Sequence, residues 1–405
     1  MGGLKMDDDK GPLPINGFCI DKISRGGGGE QSRNTEVVRN SNLEILRIIA
    51  MLTIISHHYV VNSGVTEYFD FSHITVNMIF LQLWGMWGKT AINVFVLITG
   101  YFMCTKQLTV KRFMKMYLEA KFYCISFFLI FLIFGYEQLT LKNIFLIFFG
   151  NVHNIGNGFT ASFFMFYLFI PFYNKLLDHL NKIEHLILIG LLLVIYTGAS
   201  TFFFCSTVFN EPVWYMVLYF VAAYIKKFGA NTWLKRNRKI APIVCMLIIL
   251  AYISVFFVDY VGAQFGFTNW QFMVADSNKF LAFMIGTGAF LIFNNLKIGH
   301  SSKINKIAAS TFGVLCIHAN SDTMRFWLWK QILNVRGMYF DNLANLILHA
   351  AISILMIFVI CISIDIMRIH FIERPFMNYL TRYKWFNANI LELLEQVIYK
   401  VKSTF

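Results

Sequence analysis

Residues 43–60 read LEILRIIAMLTIISHHYV, with Leu43 first and Val60 last. The stretch is apolar enough to enter hydrocarbon, and with Val61 and Asn62 it reaches the about 20 residues that cross ~30 Å of bilayer core. It also carries Arg47, His57 and His58. Ionisable side chains inside a span are costly, so they mark function unless something else accounts for them. Arg47 and His58 are eleven residues apart. At ~100° and ~1.5 Å per residue they return to nearly one helical face, about 16 Å apart along the axis. His57 points roughly 80° away from Arg47 by the same geometry. A ligand running along the Arg47–His58 face would touch both residues. The plainer alternative is an anchoring Arg and a satisfied pair of histidines.

The rest of the chain repeats the apolar theme. Hydrophobic residues make up 57% and charged residues 14% of 405, against about 25% charged in soluble domains. A disordered chain, a coiled coil and a disulfide-stapled secreted domain are excluded on that ground, and the composition argues against an ordinary cytosolic enzyme. Further spans are expected at 77–103, 113–134, 159–177, 185–204, 212–226, 240–260, 279–296, 308–330 and 343–370, which with 43–62 makes ten. The second is interrupted by Gly85, Gly88 and Lys89. A tilted or broken helix facing a cavity accommodates that. The fold expected is an all-α, polytopic membrane bundle.

Loop charge orients it. Arg33 and Arg39 precede the first span. Lys106, Lys111, Arg112 and Lys115 follow the second, Lys175 and Lys182 the fourth, and Lys226, Lys227, Lys235, Arg236, Arg238 and Lys239 the sixth. Lys297, Lys303 and Lys306 follow the eighth, and Arg368, Arg374, Arg382 and Lys384 the tenth. The loops between, such as 63–76, 205–211 and 261–278, are nearly free of Lys and Arg. The positive-inside rule then places both termini in the cytoplasm. The net charge of +13 is topogenic on this reading, and no basic face of the kind that binds nucleic acid is present.

Three segments follow. Residues 1–40, with Asp7–Asp9 and Gly26–Gly29, read as a disordered cytoplasmic tail, native or appended. They have neither the basic start and apolar core of a signal peptide nor a phosphate loop. Residues 41–385 form the transmembrane domain. Residues 386–405 place Ile390, Leu393, Leu394, Val397 and Ile398 at helical spacing, as in an amphipathic helix on the membrane surface. The seven Cys have no CxxC spacing and read as small apolar side chains; no metal site is expected.

Several motifs then fall into a familiar order. Arg47 with His58 resembles the R-x10-H signature of the membrane-bound acyltransferase-3 family. Asn93–Phe102, NVFVLITGYF, is similar to that family's VFFVLSGF segment, and Lys111–Lys115 to its basic R-x-x-R element, with Lys115 in place of the second Arg. Ser162–Asn174, SFFMFYLFIPFYN, Ser310–His318, STFGVLCIH, and Glu373-Arg374-Pro375 resemble later family segments. The resemblance runs from residue 43 to about 380 and is nearest to stand-alone bacterial members that O-acetylate polysaccharides.

The resemblance implies acetyl-CoA as acyl donor on the cytoplasmic side of the cell (cytoplasmic or inner) membrane, and a cell-surface glycan or its lipid-linked precursor as acceptor. His58 would be the base that takes a proton from the acceptor hydroxyl, or the carrier of the acyl group. Arg47 would hold the thioester end or a CoA phosphate. Arg112, Lys115 and Lys89 would bind the cofactor; the plainer alternatives are topogenic charge for Arg112 and Lys115 and snorkelling for Lys89, whose mid-segment position favours a cavity. His318 and Asp322 would contact the acceptor, or form a hydrogen-bonded cluster with Arg325 at the lip. Glu373 and Arg374 would fix the last helix as an ion pair, or border the CoA entrance. The competing function is a transporter or flippase of a polar lipid or glycan, which would need no thioester and should show repeats or gating half-helices. A receptor or scaffold leaves Arg47, His58 and Lys89 unexplained.

Overall fold

The computed structural model describes residues 41–155, 158–203, 209–229 and 240–402. The tail at 1–40 and the basic residues Lys235, Arg236, Arg238 and Lys239 lie outside the described residues. All regular structure within them is helical. In chain order the helices are α1 (Ser41–Val61), α2 (Val76–Gly85), α3 (Gly88–Met103), α4 (Val110–Ile133), α5 (Leu141–His153), α6 (Phe159–His179) and α7 (Lys182–Phe202). They continue with α8 (Glu211–Phe228), α9 (Ile240–Tyr260), α10 (Phe280–Asn295), α11 (Ser302–Ala309), α12 (Thr311–His318) and α13 (Asp322–Arg325). The last are α14 (Val335–Tyr339), α15 (Leu343–Leu380), α16 (Lys384–Asn387) and α17 (Ile390–Lys402).

Five of these, α1, α4, α7, α9 and α15, are long and apolar enough to cross a membrane. α6, α8 and α10 lie where spans were expected but are too short or too polar by that measure. The expected span 77–103 is two helices, broken where its glycines stand. The expected span 308–330 is also broken, because α12 ends at His318 and Ser321 starts α13 by accepting a hydrogen bond from the Met324 amide at 3.1 Å. The helix α5 was not anticipated; Lys142 and Asn143 near its start shorten the apolar run.

The outer wall is apolar. On α9 alone Ile243, Met246, Ile249, Leu250, Ile253, Phe256 and Phe257 are exposed. A water-soluble protein does not leave such a continuous face uncovered. Lipid is the solvent that suits it, so the chain is a membrane protein.

Inside, polar side chains bind helices that are far apart in sequence. α3 lies against α1, α8 and α10. Asn93 of α3, fully buried, donates to the Ser277 carbonyl at 2.7 Å and accepts from Trp214 Nε1 of α8 at 3.0 Å. The start of α1 is held by α11: Ser41 Oγ donates to Asn305 Oδ1 at 3.0 Å and accepts from the Ser301 amide at 2.9 Å. Asn42 bonds the Leu296 carbonyl and accepts from the Ile298 amide. An unpaired amide here would face hydrocarbon or apolar core, at a cost of several kcal/mol (~2–7).

Gly88 opens α3 directly under the His57 ring, and any Cβ there would overlap the imidazole. Gly88→Ala should therefore lower stability by about 1–3 kcal/mol. Gly190→Ala in α7, where nothing stands within 4 Å of a Cβ, should be neutral or slightly stabilising. Thermal unfolding of both variants in detergent checks the contrast.

Candidate active site

The neighbours of His58 on α1 have structural partners. α2 ends at Gly85, leaving its last carbonyls without helical donors. Ser56 Oγ donates to the Trp84 carbonyl at 2.7 Å, and His57 Nδ1 donates to the Gly85 carbonyl at 2.5 Å. Tyr59, fully buried, shares a hydrogen bond with His349 Nδ1 at 2.8 Å and meets the Trp329 ring edge-on. Ser56 and His57 fasten α1 at the break between α2 and α3, and Tyr59 fastens it to α15.

His58 turns instead to α12. Its Nδ1 lies 3.0 Å from His318 Nε2, and His318 Nδ1 lies 2.6 Å from the Val314 carbonyl. The proton positions follow from the acceptors. A carbonyl only accepts, so His318 carries its proton on Nδ1. In a neutral ring Nε2 is then the acceptor, and His58 must donate from Nδ1. The relay leaves the His58 Nε2 lone pair without a hydrogen-bond partner among the described residues. His318 itself is fully buried, behind His58 and edge-on to Trp329.

The other expected site residues lie in separate places. Arg47 pairs with buried Glu44 one turn earlier at 2.7 Å. Lys89 reaches Glu211 at the start of α8, 3.4 Å away. Asp322 is exposed and pairs with Arg325 at 2.8 Å. Arg112, also exposed, donates to the Gln107 carbonyl at 2.6 Å in the loop that Thr109 ends by capping α4. Thus the structure brings His318 to His58, and keeps Asp322 at the surface.

Lys115 and Glu373 belong to a second constellation. Lys115, half exposed, meets Glu373 at 2.7 Å. Glu373 also meets Arg368 NH1 at 2.9 Å, and Arg368 Nε donates to Asp365 Oδ1 at 2.8 Å. Glu119 of α4 lies 3.0 Å from Arg368 NH2, and Tyr123 donates to Asp365 at 2.8 Å. Glu373 forms its ion pairs with these partners and not with its neighbour Arg374. A π-helical stretch at Ile369–Glu373 explains this. In an ordinary helix residues five apart face different ways; the wider turn swings Glu373 back over Arg368. Glu119 and Asp365 had no place in the sequence reading, and Arg368 entered it only as orienting charge at the end of the tenth span. The signal available was a charged i, i+3 pair, Asp365 and Arg368, deep in an apolar span.

Among the described residues no three His, Cys, Asp or Glu side chains gather as metal ligands. A family model described as an acyltransferase domain matches residues 40–366. No curated protein and no solved structure matches the chain.

Removing Arg368 would leave three carboxylates facing one another with Lys115 alone opposite them. Arg368→Met should cost about 3–5 kcal/mol, the usual effect of breaking a buried ion pair. Arg368→Lys should recover only part of it, since an ammonium lacks the fork that serves several acceptors. Thermal melting and yield of folded protein in detergent would show both.

Proposed function

The chain belongs to the membrane-bound acyltransferase-3 family, and on that premise we propose that this membrane-embedded acyltransferase moves an acetyl group from cytoplasmic acetyl-CoA to a hydroxyl of a cell-surface glycan or its lipid-linked precursor. The observation that carries the proposal is the His58–His318 relay, which leaves one imidazole lone pair available in a polytopic apolar bundle.

A sugar hydroxyl is a weak nucleophile until its proton is taken. His58 Nε2 accepts that proton as the hydroxyl oxygen attacks the thioester carbonyl. The C–S bond then breaks, and the leaving sulfur of CoA takes the proton from His58. Atoms and charge balance without a metal or redox partner. His318 holds His58 in the correct tautomer, a role filled in other enzymes by a carboxylate. The ester product leaves toward the acceptor side.

The donor enters from the cytoplasm. Arg112 and Lys115 stand at the start of α4, and CoA phosphates suit such cations through charge-assisted hydrogen bonds. Arg112 is the more available, since Lys115 is engaged by Glu373. Arg47 lies on the His58 helix, nearer its cytoplasmic start, and lines the route of the pantetheine arm. Ten crossings of the cytoplasmic membrane with both termini inside go with this orientation.

His58→Ala should reduce acetyl transfer about 10²–10⁴-fold and lower the unfolding temperature modestly, because buried His318 Nε2 loses its donor. His57→Ala should act mainly on stability, because its imidazole holds the end of α2. Substantial transfer by His58→Ala, measured with radiolabelled acetyl-CoA and an acceptor glycan, would remove His58 from the mechanism. Acetyl-CoA binding to purified protein should weaken about tenfold in Arg112→Ala, the value of one lost charge-assisted contact of ~1.4 kcal/mol. Equal affinity in the two proteins would place the phosphates elsewhere.

A further inference from the structure

The ion cluster and the histidine pair are joined by one short helix. α12 packs between α1, α4 and α15. Its third residue is Gly313 and its last is His318. The Asp365 carboxylate of α15 occupies the space beside Gly313 that a side chain would take, so a Cβ there would overlap it. Asp365 is itself fixed from two sides, by Arg368 Nε and by Tyr123 Oη, each at 2.8 Å. The carboxylate is therefore a rigid stop against the α12 backbone, about 7.5 Å along the axis from His318 at ~1.5 Å per residue. A N···N hydrogen bond of 3.0 Å between a half-buried and a fully buried ring leaves little room for α12 to slide or turn, because such bonds weaken steeply with distance and angle.

We propose that Asp365 is a positioning residue for the His58–His318 pair: its carboxylate, seated against Gly313, sets where α12 presents His318 to His58. The proposal rests on the catalytic reading of His58 given above. Through Arg368 and Glu373 the same stop is tied to Lys115, one of the cations suggested for the donor phosphates. The donor entrance and the histidine pair are thus mounted on one polar scaffold.

The test uses the full-length protein in detergent. Gly313→Ala pushes α12 off the carboxylate. It should lower kcat about 100-fold, the usual effect of a 1 Å misplacement, while the KM for acetyl-CoA stays within about threefold. The double variant Gly313→Ala, Asp365→Ala makes room for the new methyl and should regain at least about tenfold of the lost kcat, relief that only a shared contact gives. Asp365→Asn keeps the shape beside Gly313 and should hold kcat within about threefold while lowering the unfolding temperature. ¹⁵N signals of the imidazoles give a readout that does not depend on transfer. They should report Nδ1–H on both rings of the pair in wild type and Asp365→Asn, and loss of the shared hydrogen bond in Gly313→Ala. An unchanged kcat in Gly313→Ala, or a double variant no better than the single, overturns the positioning role. So does a histidine pair that stays bonded in Gly313→Ala. Wild-type protein that shows the bonded pair and its loss in Gly313→Ala, yet transfers no acetyl group, sinks the proposed function and leaves the positioning contact standing.

Discussion

Inside a bundle walled by Ile, Leu and Phe, a polar side chain has no water to fall back on. Partners must come from the protein itself, and several of them stand on another helix, which shapes the interior. Asn93 joins α3 to α8 and to the Ser277 backbone. Lys89 joins α3 to α8 through Glu211. Gln82 of α2 donates to buried Asp259 of α9 at 2.9 Å. Arg368 gathers carboxylates from α4 and α15. The apolar contacts between these helices are exchangeable, because lipid is as apolar as Leu. The polar pairs are not, so they decide which helices meet and in what register.

The geometry of His58 and His318 is a special case of the same rule. Two neutral imidazoles can share one hydrogen bond only if one gives and the other receives. The Val314 carbonyl settles which is which. A backbone acceptor four residues before His318, fixed by helix geometry, therefore determines the protonation pattern of a histidine on another helix. No ion is needed at the site to do this, which suits a place where a bare charge is expensive.

Much of this was legible beforehand, for identifiable reasons. The run at 43–60 is helical throughout, and the separation of His57 from His58 is visible in the 3.6-residue period. The glycines in 77–103 announced a break, because glycine weakens a helix interior. What the sequence hid was pairing. His318 was readable as a polar residue at a span end, not as the partner of His58, since 260 residues separate them. Glu119 and Arg368 are likewise costly alone and sensible together, and their association depends on how α4 packs near α15. The break after His318 escaped notice because its sequence, Ala319-Asn320-Ser321, sits between two apolar stretches without glycine or proline.

The fastening of α1 to α11 bears on how the protein is made. Ser41 and Asn305 stand 264 positions apart. At about 5–20 residues per second, a ribosome needs roughly 13–50 s to pass from one to the other. During that interval the first helix is already in the bilayer with Ser41 and Asn42 unsupported, while its final neighbours have yet to emerge. At the start of the helix, its cytoplasmic end in the proposed orientation, water and lipid headgroups serve those groups until translation catches up. Shortened chains used to map membrane topology would stop inside this window. They would report a half-assembled intermediate in place of the finished bundle.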